Sequence, residues 1–205
     1  KDSDGLYLAK DGAQLIDVKK LSLVGLHNYT NVLVVFALLE SLGIAYQELL
    51  CDPHSDFSNA LCQYQGLSHR CQLVVASHGV RWINDSKATN VASTQAALAG
   101  LDVEGCLHLL VGGDGKGADF SALKPLLSHY DLQLHCFGQD GETLAQLDPK
   151  ARTWQTMDQA MAYIAAQVRA GDVVLLSPAC ASLDQYKNFM ARGDAFIALA
   201  KHYAH

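Results

Sequence analysis

Several familiar signatures are missing from this 205-residue chain. No apolar run approaches the ~18 residues that a membrane-spanning helix requires. The opening Lys1-Asp2-Ser3-Asp4 has none of the features of a secretory leader. The six cysteines, at positions 51, 62, 71, 106, 136 and 180, form no C-x-x-C pair, which excludes zinc ribbons and thioredoxin-type motifs. Without a secretion signal they read as reduced, mostly buried thiols rather than a disulfide framework. The nine histidines are scattered and contain no H-x-x-x-H, so no dedicated metal cluster is expected. A basic excess is also lacking. Fifteen Lys and Arg stand against 21 Asp and Glu, for a net charge of −6. That argues against a nucleic-acid partner. It leaves room for a single nucleotide, which one well-placed Lys can hold. No internal repeat or low-complexity segment occurs.

What is present is half hydrophobic, enough for a core that needs neither disulfides nor metals. Leu6 to Val18 reads as two short strands around a Lys10-Asp11-Gly12 turn. From Asn28 to Leu42, Val32, Val35, Phe36, Leu39 and Leu42 recur at helical spacing, and Gly43 ends the helix. Asp52-Pro53 predicts another helix, with Asp52 as its cap, ending near Gln65-Gly66. The pattern changes around Gly66 to His69, which suggests a boundary. A hairpin follows across His78-Gly79, with strands over 72–76 and 80–83. Strands over 107–111, 132–137 and 173–176 then alternate with helices over 91–98, 123–129, 142–147, 157–169 and within 184–202. This alternation predicts an α/β, Rossmann-like, doubly wound and mostly parallel sheet, whose ligands bind beyond the carboxyl ends of the strands.

Three polar clusters directly follow apolar strands. Asn84-Asp85-Ser86-Lys87-Ala88-Thr89-Asn90 packs an acid, a base and several hydroxyl and amide groups into one strand-to-helix turn. Thr89 or Asn90 can cap the next helix, whose free N–H groups favour an anion; a merely solvated, well-capped turn would read the same way. Gly112-Gly113-Asp114-Gly115-Lys116-Gly117-Ala118-Asp119-Phe120 lets backbone approach a ligand closely and puts one positive charge there. It is not a Walker A loop, because Gly117 follows Lys116 where Ser or Thr is needed, and it is not a dinucleotide fingerprint. A flexible turn with an exposed Lys is the plain alternative. Leu176-Ser177-Pro178-Ala179-Cys180-Ala181-Ser182-Leu183-Asp184-Gln185-Tyr186, running on to Phe189 and Arg192-Gly193, makes a third anion-accepting corner. Cys180 lacks a His partner nearby in sequence and reads as a small buried packer rather than a nucleophile. Upstream, Asn28 and Asn31 share a helical face, where two amides can meet a base or phosphate or simply cap. His69-Arg70 stands just past the suggested boundary.

The order and spacing of His-Asn-x-x-Asn at 27–31, His-Arg at 69–70, and the three clusters at 84–90, 112–120 and 176–186 resemble the Mur ligase family. The Asp-Ser-Lys-Ala-Thr-Asn and Ser-Pro-Ala-Cys-Ala-Ser strings look like its D-glutamate-adding branch. The resemblance spans essentially all of the chain. It departs after His-Arg, where Cys71 and Gln72 replace the family's frequent aromatic and Glu. It implies that residues 1–67 are the carboxy-terminal part of a central P-loop ATPase domain and that 68–205 are a whole amino-acid-binding domain. The implied activity is ATP-dependent joining of D-glutamate to UDP-N-acetylmuramoyl-L-alanine through an acyl phosphate, in peptidoglycan precursor synthesis. A cytoplasmic, monomeric protein is implied, inactive as this piece alone. The resemblance assigns Asn28, Asn31, Arg70 and Asp85 to ATP, and Thr89, Lys116, Ser182 and the backbone of Phe189 to D-glutamate. Lys87 and Lys116 act by positioning, and no residue here is catalytic in the strict sense. Magnesium accompanies ATP, with its ligands expected outside this chain. Two alternatives stay open: an amide ligase of the same family for another amino acid, and a non-catalytic nucleotide- or amino-acid-binding module. A Rossmann oxidoreductase is disfavoured by the missing fingerprint.

Overall fold

The computed structural model describes residues 5–52 and 54–204. Its contacts cluster into two units that divide between Gly66 and Leu67.

The first unit opens with an antiparallel hairpin, β1 (Tyr7–Lys10) and β2 (Ala13–Asp17). Asp11 and Gly12 turn it with φ of 49° and 82°, the paired positive values that a two-residue primed turn requires. Three helices follow: α1 (Leu26–Ser41), α2 (Tyr46–Cys51) and α3 (Asp56–Gln63). Val32 and Phe36 of α1 pack with Leu8, Ile16, Val18 and Tyr46. Phe36 and Tyr46 stack at 4.8 Å between ring centroids. The apolar stripe read on α1 is only half used, since Val35 is 45% exposed and Leu42 73%. The helix expected to open at Asp52 opens later. Ser55 is the α3 cap, its hydroxyl accepting from the Ser58 N–H, whereas Asp52 ends α2 and accepts from the His54 N–H. Pro53 lies outside the described residues.

The second unit is a six-stranded sheet in the order β3-β4-β8-β5-β6-β7. Its strands are β3 (Gln72–Ser77), β4 (Val80–Asn84), β5 (Leu107–Gly112), β6 (Leu132–Phe137), β7 (Arg152–Trp154) and β8 (Val173–Leu176). Only the β3–β4 hairpin is antiparallel. Its helices are α4 (Val91–Ala99), α5 (Lys124–Leu127), α6 (Gly141–Ala145), α7 (Met157–Ala165) and α8 (Phe189–Tyr203). Every residue of the central strands β5 and β8 is buried, as strands covered on both faces must be. On one face Trp82, Leu110, Phe137, Val174 and Leu176 pack under Met161, Ile164, Phe196 and Ala200 of α7 and α8.

Strand β8 comes last in the chain yet fills the slot between β4 and β5. The loops after β4, β5 and β8 therefore emerge side by side at the point where strand order reverses, where open α/β sheets bind ligands.

Candidate functional site

The end of β4 and the loop after it carry three buried polar residues, Asn84, Asp85 and Ser86. Asn84 donates from its amide to His69 Nδ1 (3.0 Å) and to the Gly193 carbonyl (3.3 Å), and accepts from the Ser86 N–H (3.1 Å). Asp85 accepts from the Cys71 N–H (3.1 Å) and the Ser177 hydroxyl (2.8 Å). Burial nevertheless pushes its carboxyl up to about 6, against the pull of those two donors and of Arg70. Arg70 itself is exposed. Cys71 sits at φ 42°, and Gln72 accepts from the His69 N–H (3.1 Å), so the two residues that depart from the family pattern shape the turn carrying Arg70. Further on, Asn90 caps α4 by accepting from the Ser93 N–H.

The loop after β5 contains three glycines, Gly113, Gly115 and Gly117, and a left-handed Lys116 (φ 53°). A Cβ on Gly113 would collide with the Ala181 carbonyl oxygen, and the residue sits at φ 122°, so only glycine fits. Asp114 and Ala181 exchange two backbone hydrogen bonds (3.0 and 2.9 Å), stitching the β5 loop to the β8 loop. The Lys116 N–H donates to the Asp114 carboxylate (2.9 Å), and the Lys116 side chain is exposed.

Beneath all three loops lies Arg192, with no exposed surface. It donates from Nε to the Ser86 hydroxyl (3.0 Å), from Nη2 to the Ser86 carbonyl (2.9 Å), and from both terminal nitrogens to the Cys180 carbonyl (3.1 Å each). Nη1 also reaches the Gly112 carbonyl (3.3 Å). One planar fork thus ties the ends of β4, β5 and β8 together, a task for which guanidinium geometry is suited. Burial pulls its pKa down to about 10, which leaves it charged at neutral pH.

Thr89, Lys116 and Ser182, assigned to one amino acid by the resemblance, sit on the loops after three neighbouring strands, and direct hydrogen bonds connect those loops. Thr89 is half-buried and Ser182 is 3% exposed. Phe189 starts α8. Its carbonyl accepts from the Ser86 hydroxyl (2.7 Å), and Lys87 Nζ lies 4.3 Å from its ring centroid. Asn188 caps α8 through the Ala191 N–H, and the Phe189 N–H donates to nothing among the described residues. Cys180 is buried, and burial pushes its thiol up to about 12, which disfavours the thiolate and fits a small packing residue. Arg70 and Asp85 come together through Cys71. In the first unit, the Asn28 amide donates to the Val24 carbonyl (2.7 Å), while Asn31, three residues further along α1, is exposed.

Sequence reasoning gave no role to Arg192, Ser86 or Ser177. The signal for Arg192 was present. With Phe196 and Ala200 it falls on the buried stripe of α8, and an Arg on such a stripe needs internal acceptors.

A mostly parallel sheet with three polar loops gathered at its reversal point defines a Rossmann-like α/β domain. The family model described as Mur ligase, glutamate ligase domain matches residues 69–180, and the chain belongs to the Mur ligase family. It is 54% identical over 204 residues to UDP-N-acetylmuramoylalanine--D-glutamate ligase of Aliivibrio salmonicida, matching 100% of this chain and 44% of that protein. The chain thus spans less than half the length of the curated relatives it matches, in their carboxy-terminal part. Among solved structures, UDP-N-acetylmuramate-alanine ligase MurC from Thermotoga maritima superposes with a TM-score of 0.60 at 18% identity, over 94% of this chain and 42% of the other. The bifunctional folylpolyglutamate synthase/dihydrofolate synthase from Yersinia pestis gives 0.57 at 21%, over 97% and 44%. At these identities the structural likeness speaks to fold alone.

Proposed function

We propose that this chain is the carboxy-terminal part of the cytoplasmic, monomeric ATP-dependent ligase that joins D-glutamate to UDP-N-acetylmuramoyl-L-alanine. In that reading residues 1–67 complete a P-loop ATPase domain. The exposed aliphatic side chains of α1, among them Val34, Val35 and Leu38, support it, because a finished domain seldom leaves such a stripe in water. Residues 68–205 form the domain that brings the amino acid.

ATP phosphorylates the carboxylate of the UDP-linked substrate. The amine of D-glutamate attacks the resulting acyl phosphate carbon, and the tetrahedral intermediate expels phosphate as the amide forms. Lys116 and Thr89 hold one carboxylate of D-glutamate. Ser182 and the free N–H of Phe189 take the other, with Lys87 steadied beside them on the Phe189 ring. Arg70 meets phosphate oxygens and Asp85 the nucleotide, while Asn28 and Asn31 are assigned to ATP on the resemblance alone. Holding the amine in line is the contribution of these residues, and such positioning can lower a barrier by roughly 7–11 kcal/mol. Among the described residues no three His, Cys, Asp or Glu side chains gather as a metal site; that the magnesium accompanying ATP takes its ligands from outside this chain rests on the resemblance alone. Among the described residues, too, no helix is long and apolar enough to cross a membrane.

The observation that carries this reading is the convergence of the Thr89, Lys116 and Ser182 loops on three neighbouring, cross-linked strand ends. In the full-length protein, Lys116→Ala should raise the KM for D-glutamate at least about tenfold, the effect of removing one partner from a desolvated charge pair. Unchanged kinetics would make Lys116 an ordinary exposed loop residue. Phosphate release measured across a panel of amino acids tests the D-glutamate assignment itself.

A further inference from the structure

The loop after β6, Gly138 to Asp140, has no part in the assignments above, yet it grips the loops that do. The Asp140 carboxylate accepts from the Gly115 N–H at 2.6 Å, and its own N–H donates to the Gly113 carbonyl at 3.0 Å. Asp140 therefore holds both ends of the Gly113–Gly115 segment that delivers Lys116. Its neighbour Gln139 donates an N–H to the Asp184 carboxylate at 3.0 Å, which ties the same short loop to the segment after Ser182. Glycine at 138 eases this fit. The residue sits at φ 73°, and a Cβ there would strike Asp184.

We infer that Asp140 is a positioning residue for the amino-acid site, fixing the Lys116 loop against the Ser182 loop through the β6 loop as a strut. This rests on the assignment of Lys116 to D-glutamate. Lys116 has its own backbone in the left-handed region, and its side chain makes no hydrogen bond or ion pair with another described residue. Nothing in its own contacts therefore fixes where its ammonium group points. What places its backbone is the pair of residues before it: Asp114 accepts its N–H, and Asp140 holds Gly115. A carboxylate accepting a backbone N–H is a strong, short-range restraint. Asp140 leaves the ammonium group free to meet a ligand.

The test is steady-state kinetics on the full-length protein with D-glutamate, ATP and UDP-N-acetylmuramoyl-L-alanine. Asp140→Ala should raise the KM for D-glutamate about tenfold, the scale of a lost hydrogen bond to a charged group, and leave the KM for ATP unchanged. Asp140→Asn keeps an oxygen acceptor for the Gly115 N–H and should restore the parent KM. Adding Asp140→Ala to Lys116→Ala should cost little more, because a residue acting through Lys116 has nothing left to position. The inference is overturned if Asp140→Ala leaves the D-glutamate KM alone while Lys116→Ala raises it. It is equally overturned if Asp140→Ala raises both KM values together, the mark of general loosening, or if the two effects multiply. Lys116→Ala without effect would instead remove the assignment on which the inference rests, and the inference with it.

Discussion

Replacing Arg192 by Met tests whether one buried guanidinium holds the three loops in place. Methionine fills similar volume without a charge. The carbonyls of Ser86, Gly112 and Cys180 would lose their donor. Each buried acceptor left unpaired costs about 1–3 kcal/mol, so the gross loss is roughly 3–9 kcal/mol. Against that, the fold no longer keeps a cation away from water, a relief of several kcal/mol. The net expectation is a destabilisation of about 3 kcal/mol. Both tryptophans, Trp82 and Trp154, lie in the second unit. Urea unfolding followed by their fluorescence therefore reports on that unit alone. Arg192→Lys should fare no better than Met, because an ammonium group keeps the burial cost but cannot serve three loops at once. A Lys variant as stable as the parent would show that charge, rather than the planar fork, matters. A Met variant within about 0.5 kcal/mol of the parent, the range of an ordinary surface change, would refute the tie altogether.

Gly113→Ala should cost about 2–4 kcal/mol in the same assay, from left-handed strain together with loss of the Asp114–Ala181 pairing. Gly117→Ala, at φ 75° but with nothing within 4 Å of the added methyl, should cost only about 1–2 kcal/mol; equal costs would show that the contact at Gly113 is not restrictive. Acid should weaken the second unit. His135 is buried between His108 and Trp154, and burial, with His108 and Arg152 adding to it, pulls its pKa down to about 3. The unfolded chain takes up that proton near 6.5, so this stability is complete above about pH 6.5 and is lost as the pH falls toward 3. At pH 5 that amounts to about 2 kcal/mol. His108, also lowered by burial, acts in the same direction. Asp85 acts the other way. Its pKa is raised from about 3.8 to about 6, so its contribution is complete at low pH and is lost as the pH rises through 6. The urea midpoint should therefore fall from pH 7 to pH 5, and His135→Phe should flatten that fall; identical profiles for variant and parent would contradict it.

The alternation of apolar strands and helices was legible because each run is long enough to show its period. Strand β7 was not. Arg152-Thr153-Trp154 is three residues at a sheet edge, with no alternation to detect and a partner, β6, that only the fold supplies. Helix α2 escaped for a similar reason, being six residues long with no side-chain cap. Helix α8 was expected within 184–202 and starts inside that window, at Phe189 after the Asn188 cap, so residues 184–188 stay in the loop that carries the candidate site. The candidate site was visible as polar clusters after strands because the residue types stand next to one another in sequence. Its framework was not, because Arg192 reaches Ser86 across 106 positions and Asp85 reaches Ser177 across 92. Such pairs meet only when strand order is known.

The aliphatic side chains that α1 shows to solvent have a practical bearing. Leu26, Val34, Val35 and Leu38, with Leu42 just past the helix end, are each between 45% and 73% accessible. A preparation of these 205 residues carries that sticky ridge into the test tube, where it will seek another greasy surface, including a second molecule of itself. Titrations on the isolated polypeptide should therefore be repeated over a range of protein concentrations, since self-association through α1 would otherwise be mistaken for ligand-driven change.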